Sequence, residues 1–255
     1  MESYIALVMP FLWIALRTGG VLVTAPVLGT RYVPWTIKVT VSLVTAFFLW
    51  NVVPRAPVPE GLPGLAVAAF GEVLFGIVIG FMGTLVLAAI EMAGHIADVE
   101  IGFGIANVVD PHYGQPAPLL GTLQYLLVLL VFLELDGHHL FLRALRRSFE
   151  LIPAGGAFVP VEWAHAALAG AREMLWIALG LSAPVWVSML VTDVALGVIS
   201  HGVPQMNVFV VGVPIKILIG LGILAVSVAF YGAFGQQVVL EMSRLLDLLL
   251  GVFAR

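Results

Sequence analysis

Glu91, His95 and Asp98 recur at i, i+4 and i+7, a spacing that puts two carboxylates and an imidazole on one face of a helix. Such a face offers ligands to a divalent metal or a relay for protons. The competing reading is a polar last turn leading into a loop. No second cluster with ligand spacing backs the metal, so none is expected. His138 and His139 follow Asp136, and a metal or acid–base site is again the chemistry on offer. Adjacent helical residues point about 100° apart, so both imidazoles do not easily serve one site. Asp136 with Gly137 reads instead as the N-cap of the helix behind it. Asp193 stands alone in an apolar run, where an ionisable group either carries function or pairs with a base. GxSxG, HExxH and P-loop motifs do not occur, and Gly102-Phe-Gly-Ile lacks the third glycine and the strand of a dinucleotide site. Neither an enzyme nor a cofactor is expected.

The elements that must hold these residues are membrane-grade. The chain has 255 residues, 61% hydrophobic, with 11 basic and 15 acidic side chains. Its mean hydropathy is +1.10. Charged residues make up 10% of it, against about 25% in soluble domains. An integral membrane protein is implied. The absence of cysteine excludes disulfides, thiolate metal sites and cysteine nucleophiles, and a net charge of −4 argues against nucleic acid as a partner. Met1-Glu2 opens without a basic n-region, so the first apolar stretch is expected to be retained.

Long apolar runs without strand-like alternation make the class all-α. Helices are expected near 3–28, 34–54, 63–98, 118–134, 137–151, 162–200 and 208–250. The uncharged stretches 73–90, 174–192 and 217–240 approach the roughly 20 apolar residues that a lipid-crossing helix needs. Others are short or interrupted by Pro10, Pro26, Pro34, Pro118 and Pro204. Arg17, Arg31 and Lys38 either mark helix ends or face other protein. Arg143, Arg146 and Arg147 mark a cytoplasmic side by the positive-inside rule or meet acidic groups of a partner. A connector at Pro153-Ala-Gly-Gly divides the chain into a multi-helix part, 1–152, and a helical hairpin, 153–255.

Between Glu91 and Pro118 the composition changes. This segment holds Glu91, Asp98, Glu100, Asp110, two histidines, four glycines and three prolines. Irregular backbone this polar cannot face lipid, because its amides would lack partners. It lines a water-filled path or lies in protein, which points to a conduit or gate. Elsewhere Gly76 and Gly80 form a GxxxG pair, and Ala225, Ala229 and Ala233 a small-residue ladder. Such faces let helices approach closely, either within one bundle or against other subunits. The scarcity of unbroken spans favours other subunits. Pro204, Gln205, Met206 and Asn207 through Lys216 read as the tip joining the last two helices, with Lys216 snorkelling to a surface.

These segments, taken in order, resemble the FliR family, export-gate subunits of flagellar and related type III secretion systems. The matching stretches are Arg17-Thr-Gly-Gly, Ala25-Pro-Val-Leu-Gly, Gly76–Gly83, Gly102-Phe-Gly with Asp110-Pro, Asp136-Gly-His-His, and Pro204-Gln-Met-Asn-Val-Phe with Gly212-Val-Pro-Ile-Lys. The last two look more flagellar than virulence-type. The resemblance implies a non-enzymatic role in the bacterial inner membrane, within the flagellar basal body. Homologues of FliP and FliQ would share a helical assembly with this chain, FlhB would pack against its cytoplasmic side, and FlhA would complete the apparatus. Unfolded flagellar subunits would pass through its centre, driven by proton-motive force and an associated ATPase.

The same resemblance implies that 1–152 is FliP-like and the C-terminal hairpin FliQ-like. It makes the loop 102–118 a pore plug, with Gly102, Phe103, Gly104, Ile105, Val108, Val109, Asp110 and Pro111 as its working residues. It puts the tip at 201–216 on the cytoplasmic side, against the positive-inside count, and makes it a partner contact. The alternative is a proton-coupled secondary transporter using Glu91, Asp98 and Asp193, although no internal duplication supports it. A membrane hydrolase is third, and no nucleophile–base pair supports it.

Overall fold

The structure is a computed structural model that describes residues 2–30, 33–56, 58–59, 61–103, 118–157, 162–203, 205 and 207–252. Among these, eight helices follow one another: α1 (Glu2–Thr24), α2 (Trp35–Leu49), α3 (Gly61–Ile101), α4 (Leu119–Glu134), α5 (His138–Leu151), α6 (Glu162–Gly202), α7 (Val208–Val228) and α8 (Tyr231–Gly251). No strand forms among the described residues, and the all-α class holds. Among the described residues, three helices are long and apolar enough to cross a membrane: Gly61–Ile101, Trp163–Gly202 and Val210–Val228. α4 and α5 add a fourth if counted as one broken span.

Two differences from the expected elements have local causes. α1 stops at Thr24 rather than near 28. Pro26 has no N–H to donate, Val27 takes a positive φ of 71°, and the Gly29 amide closes the turn on the Ala25 carbonyl at 2.8 Å. The expected last helix is two helices. The Ala229 and Phe230 amides bond back three residues, to Val226 (3.2 Å) and Ser227 (3.0 Å), which tightens the turn and breaks the i→i−4 ladder. The third expected span therefore ends at Val228 instead of continuing to 240.

The chain forms two compact units: Met1–Val86 with Leu133–Ala171 and Val238–Arg255, and Leu87–Phe132 with Arg172–Gln237. In the first unit, α1 and the start of α3 touch through their backbones. A Cβ at Gly20 would lie 2.5 Å from the Val73 carbonyl oxygen, and one at Gly76 would fall on the Arg17 carbonyl and 2.9 Å from the Val21 nitrogen. At Gly80 it would fall on Thr24 Oγ1 and 2.6 Å from the Val21 oxygen. Only glycine permits this approach. Thr24 donates to the Ile77 carbonyl (3.0 Å) across the same crossing. α5 turns Leu140, Phe141, Ala144, Leu145, Ser148 and Phe149 inward and its arginines outward, an amphipathic 3.6-residue pattern.

In the second unit, Ala97, Ile101, Leu120, Val185, Met189 and Leu224 form the core, with Phe103, Ile217 and Ile223 packed on it. Here α3 and α4 meet at Gly94 and Gly121: a Cβ on Gly94 would stand 2.7 Å from the Gly121 nitrogen.

Candidate functional site

That contact brings the first amides of α4 to Asp98. Its carboxylate accepts from Leu120 N through both oxygens (3.1 Å each) and from Gly121 N (3.2 Å). It satisfies donors that a helix start otherwise leaves orphaned, at the positive end of the dipole. The Asp98 carbonyl accepts from Gly102 N (3.2 Å) and Phe103 N (3.0 Å), where α3 ends. One residue thus closes α3 and opens α4, tying together the two stems of the segment between them. Gly102, with φ of 100°, takes the left-handed turn that ends α3.

Asp98 is buried, whereas Glu91 and His95 are exposed. The three are not gathered into one site, and the polar-turn reading describes them. Of the residues assigned to the plug, Gly102 and Phe103 are described; Gly104, Ile105, Val108, Val109, Asp110 and Pro111 lie outside the described residues.

A second polar node lies in the first unit. Arg17 Nε donates to Glu72 Oε2 (2.6 Å) and Nη2 to Oε1 (3.1 Å), a bidentate pair with neither side chain exposed. Arg17 Nη1 also reaches Ser148 Oγ (3.2 Å) and the Ile152 carbonyl (3.0 Å), while Gly155 N donates to Glu72 Oε1 (2.8 Å). The guanidinium stacks over Phe149 and Phe75, 4.0 and 4.6 Å from their ring centres. Arg17 faces other protein, as its place in an apolar helix requires, and that protein is its own chain. The partner Glu72 had one visible signal, an acid within an apolar helix; Ser148 and Gly155 had none.

Asp193 also finds its base at home: Lys216 Nζ lies 2.9 Å from its carboxylate, joining α6 to α7. Lys216 stands within α7 rather than on the turn, because Pro214 removes one helical bond without ending the helix. Gln205 and Asn207 are exposed between α6 and α7, and Pro204 and Met206 lie outside the described residues.

Three expectations require correction. Asp136 does not cap α5 with its side chain: it takes a positive φ of 55°, and its carbonyl accepts from His139 N (2.9 Å). That twist gathers Asp136, His138 and His139, whose ligand atoms lie within 4.8 Å of one another, all three exposed. The Ala225–Ala229–Ala233 ladder is not one continuous face, because Ala229 sits in the break between α7 and α8; Ala225 and Ala229 are exposed. The GxxxG pair of Gly76 and Gly80, read as a face for other subunits, is instead filled by α1 of this chain. On α5, Arg146 pairs with Glu150 (2.9 Å) and Arg147 with Asp247.

Residues 8–242 match the family model described as "Bacterial export proteins, family 1". The chain is similar to the flagellar biosynthetic protein FliR of Bacillus subtilis (strain 168), 34% identical over 90% of each chain. It is 28% identical to FliR of Escherichia coli (strain K12), over 96% of this chain and 94% of the relative. FliR of Caulobacter vibrioides is 30% identical over 84% of this chain and 86% of its own.

Proposed function

Because the chain belongs to the bacterial export proteins of family 1, the FliR family of flagellar export components, we propose that it is a non-enzymatic gate subunit of the flagellar type III export apparatus. In this reading it joins homologues of FliP and FliQ in the inner membrane, with FlhB and FlhA homologues at the cytoplasmic side. Its 1–152 part is FliP-like and 153–255 FliQ-like. The segment 102–118 plugs the path that unfolded flagellar subunits take.

The observation that carries this reading is the double role of Asp98. It fixes both stems of the polar segment within one apolar unit, so the segment is held where it emerges. Support also comes from the surfaces of α6 and α7, where only 22% and 17% of the apolar windows are buried within this chain. Those faces are left for lipid or for neighbouring helices. Of the three carboxylates that the transporter alternative uses, Asp98 accepts from the first amides of α4, Asp193 pairs with Lys216, and Glu91 is exposed.

Deleting 106–114 in the assembled apparatus tests the plug. Co-purification with FliP and FliQ homologues should persist, while closed gates leak small ions or dyes. An assembled, ion-tight deletion complex removes the plug from the proposal; a chain that purifies stably only by itself removes the gate.

A further inference from the structure

The first unit contains a cavity of about 330 Å³ between α1, α2, the end of α4, α5 and the turn that follows α1. This is far more space than close-packed interiors leave, and it falls at the lower end of small-molecule pockets, about 300–1,000 Å³. Most of the lining is apolar, including Leu22, Val27 and Leu145, and no formally charged side chain contributes. Its hydrogen-bonding groups are Thr18, Thr45 and His138.

Several helical threonines satisfy their hydroxyls on their own helix. Thr24, Thr40, Thr84 and Thr192 each donate to the carbonyl four residues back, at 3.1, 2.8, 3.0 and 2.7 Å. Thr18 Oγ1 has no partner although the residue is only 1% exposed. Thr45 makes no hydrogen bond among the described residues either. Thr18 on α1 therefore presents a buried, idle hydroxyl to this apolar space, and α2 adds the half-buried hydroxyl of Thr45. A buried hydroxyl without a partner is costly, and that cost falls away once an acceptor arrives.

We propose that this cavity holds the ester end of an acyl chain from a membrane glycerolipid. An ester supplies neutral acceptor oxygens for the Thr18 and Thr45 hydroxyls, and its alkyl chain takes up the dispersion contacts that the empty lining forgoes. A carboxylate or ammonium is disfavoured, since no opposite charge lines the space. The rim is suited to delivery from a bilayer: Leu142 lines the cavity yet is 46% exposed, and on α2 Val44 and Phe48 flank the lining residues Val41 and Thr45 while standing 49% and 71% exposed. His138, exposed where it lines the cavity, can donate to a phosphodiester at the rim, beside the Asp136 carboxylate.

The test uses the full chain with its co-expressed partner subunits, reconstituted in phosphatidylglycerol vesicles that carry a trace of the same lipid with a diazirine near the ester. Crosslinked peptides should cover residues 18–28 and 138–145. Thr18→Val keeps the volume and removes the hydroxyl, and should lower this labelling about tenfold, the worth of one good hydrogen bond. Leu142→Trp, on an exposed side chain, should block entry and abolish it even if Thr18→Val fails to assemble. A free fatty acid carrying the same diazirine separates ester from carboxylate; equal labelling by it overturns the glycerolipid assignment. Labelling confined to outward residues of α2, or unaffected by both variants, shows a water-filled or partner-filled cavity and overturns the site.

Discussion

Arg17 and Glu72 stand 55 positions apart in the chain and share a bidentate hydrogen bond, 2.6 Å at its shorter arm, with neither side chain exposed to solvent. Arg17 Nη1 also donates into α5 and the loop behind it, and Gly155 N of that loop donates to Glu72, so the pair fastens α1, α3 and the end of α5. Desolvating two charges is expensive, and only such further hydrogen bonds make it tolerable.

Breaking that pair from one side should therefore be severe. Arg17→Met or Glu72→Leu alone leaves a buried charge uncompensated, and each should cost about 3–5 kcal/mol. The double variant should recover part of that loss, since it leaves no buried charge even though the Ile152 carbonyl and the Gly155 amide lose a partner. Thermal unfolding of the purified chain in detergent, run as a double-mutant cycle, checks this. Additive losses would show that the two residues act separately.

Gly80→Leu should damage the chain's own fold and not merely its association. The new side chain would meet Thr24 Oγ1 and the Val21 carbonyl of α1, and overpacking of that kind costs about 1–3 kcal/mol. Limited proteolysis of the chain expressed alone should show faster cutting around α1. A chain that resists protease yet loses its partners on native gels would return this face to a subunit interface.

Asp98→Ala should free the first amides of α4, a capping loss of about 0.5–2 kcal/mol. Because the same residue joins both stems, cleavage between 104 and 117 by added protease should accelerate while the rest of the chain stays intact. Asp98→Asn, which keeps an acceptor, should fall between the two. Unchanged cleavage in Asp98→Ala would mean that other contacts hold the stems.

Lys216→Glu places like charges at the hairpin pair, and on its own should cost little stability, about 0.2–1 kcal/mol, because Asp193 is half exposed. Combining it with Asp193→Lys should restore whatever the single change lost. If secretion stays defective in the swapped variant while stability returns, Lys216 has a second role at a partner's surface. Crosslinks from position 207 to an FlhB homologue are the direct measure of that contact.

The sequence by itself determined the class, the positions of most helices, two of the three long apolar spans and the family. These depend on local composition, on apolar run length and on motifs that stay adjacent along the chain. It did not show which helices meet. α3 is apolar on nearly every side, so periodicity marks no inner face, and Gly76 and Gly80 read as a face for a neighbouring subunit although α1 fills it. The same limit hid the partners of Arg17, Asp98 and Asp193, found 55, 22 and 23 residues away. It also left the break at Ala229–Phe230 unmarked, since no proline stands there and the apolar pattern runs straight through it. Tertiary structure decided these points because a buried charge must be answered by whatever donor or acceptor packing brings within about 3 Å, and nothing along the chain encodes that neighbour.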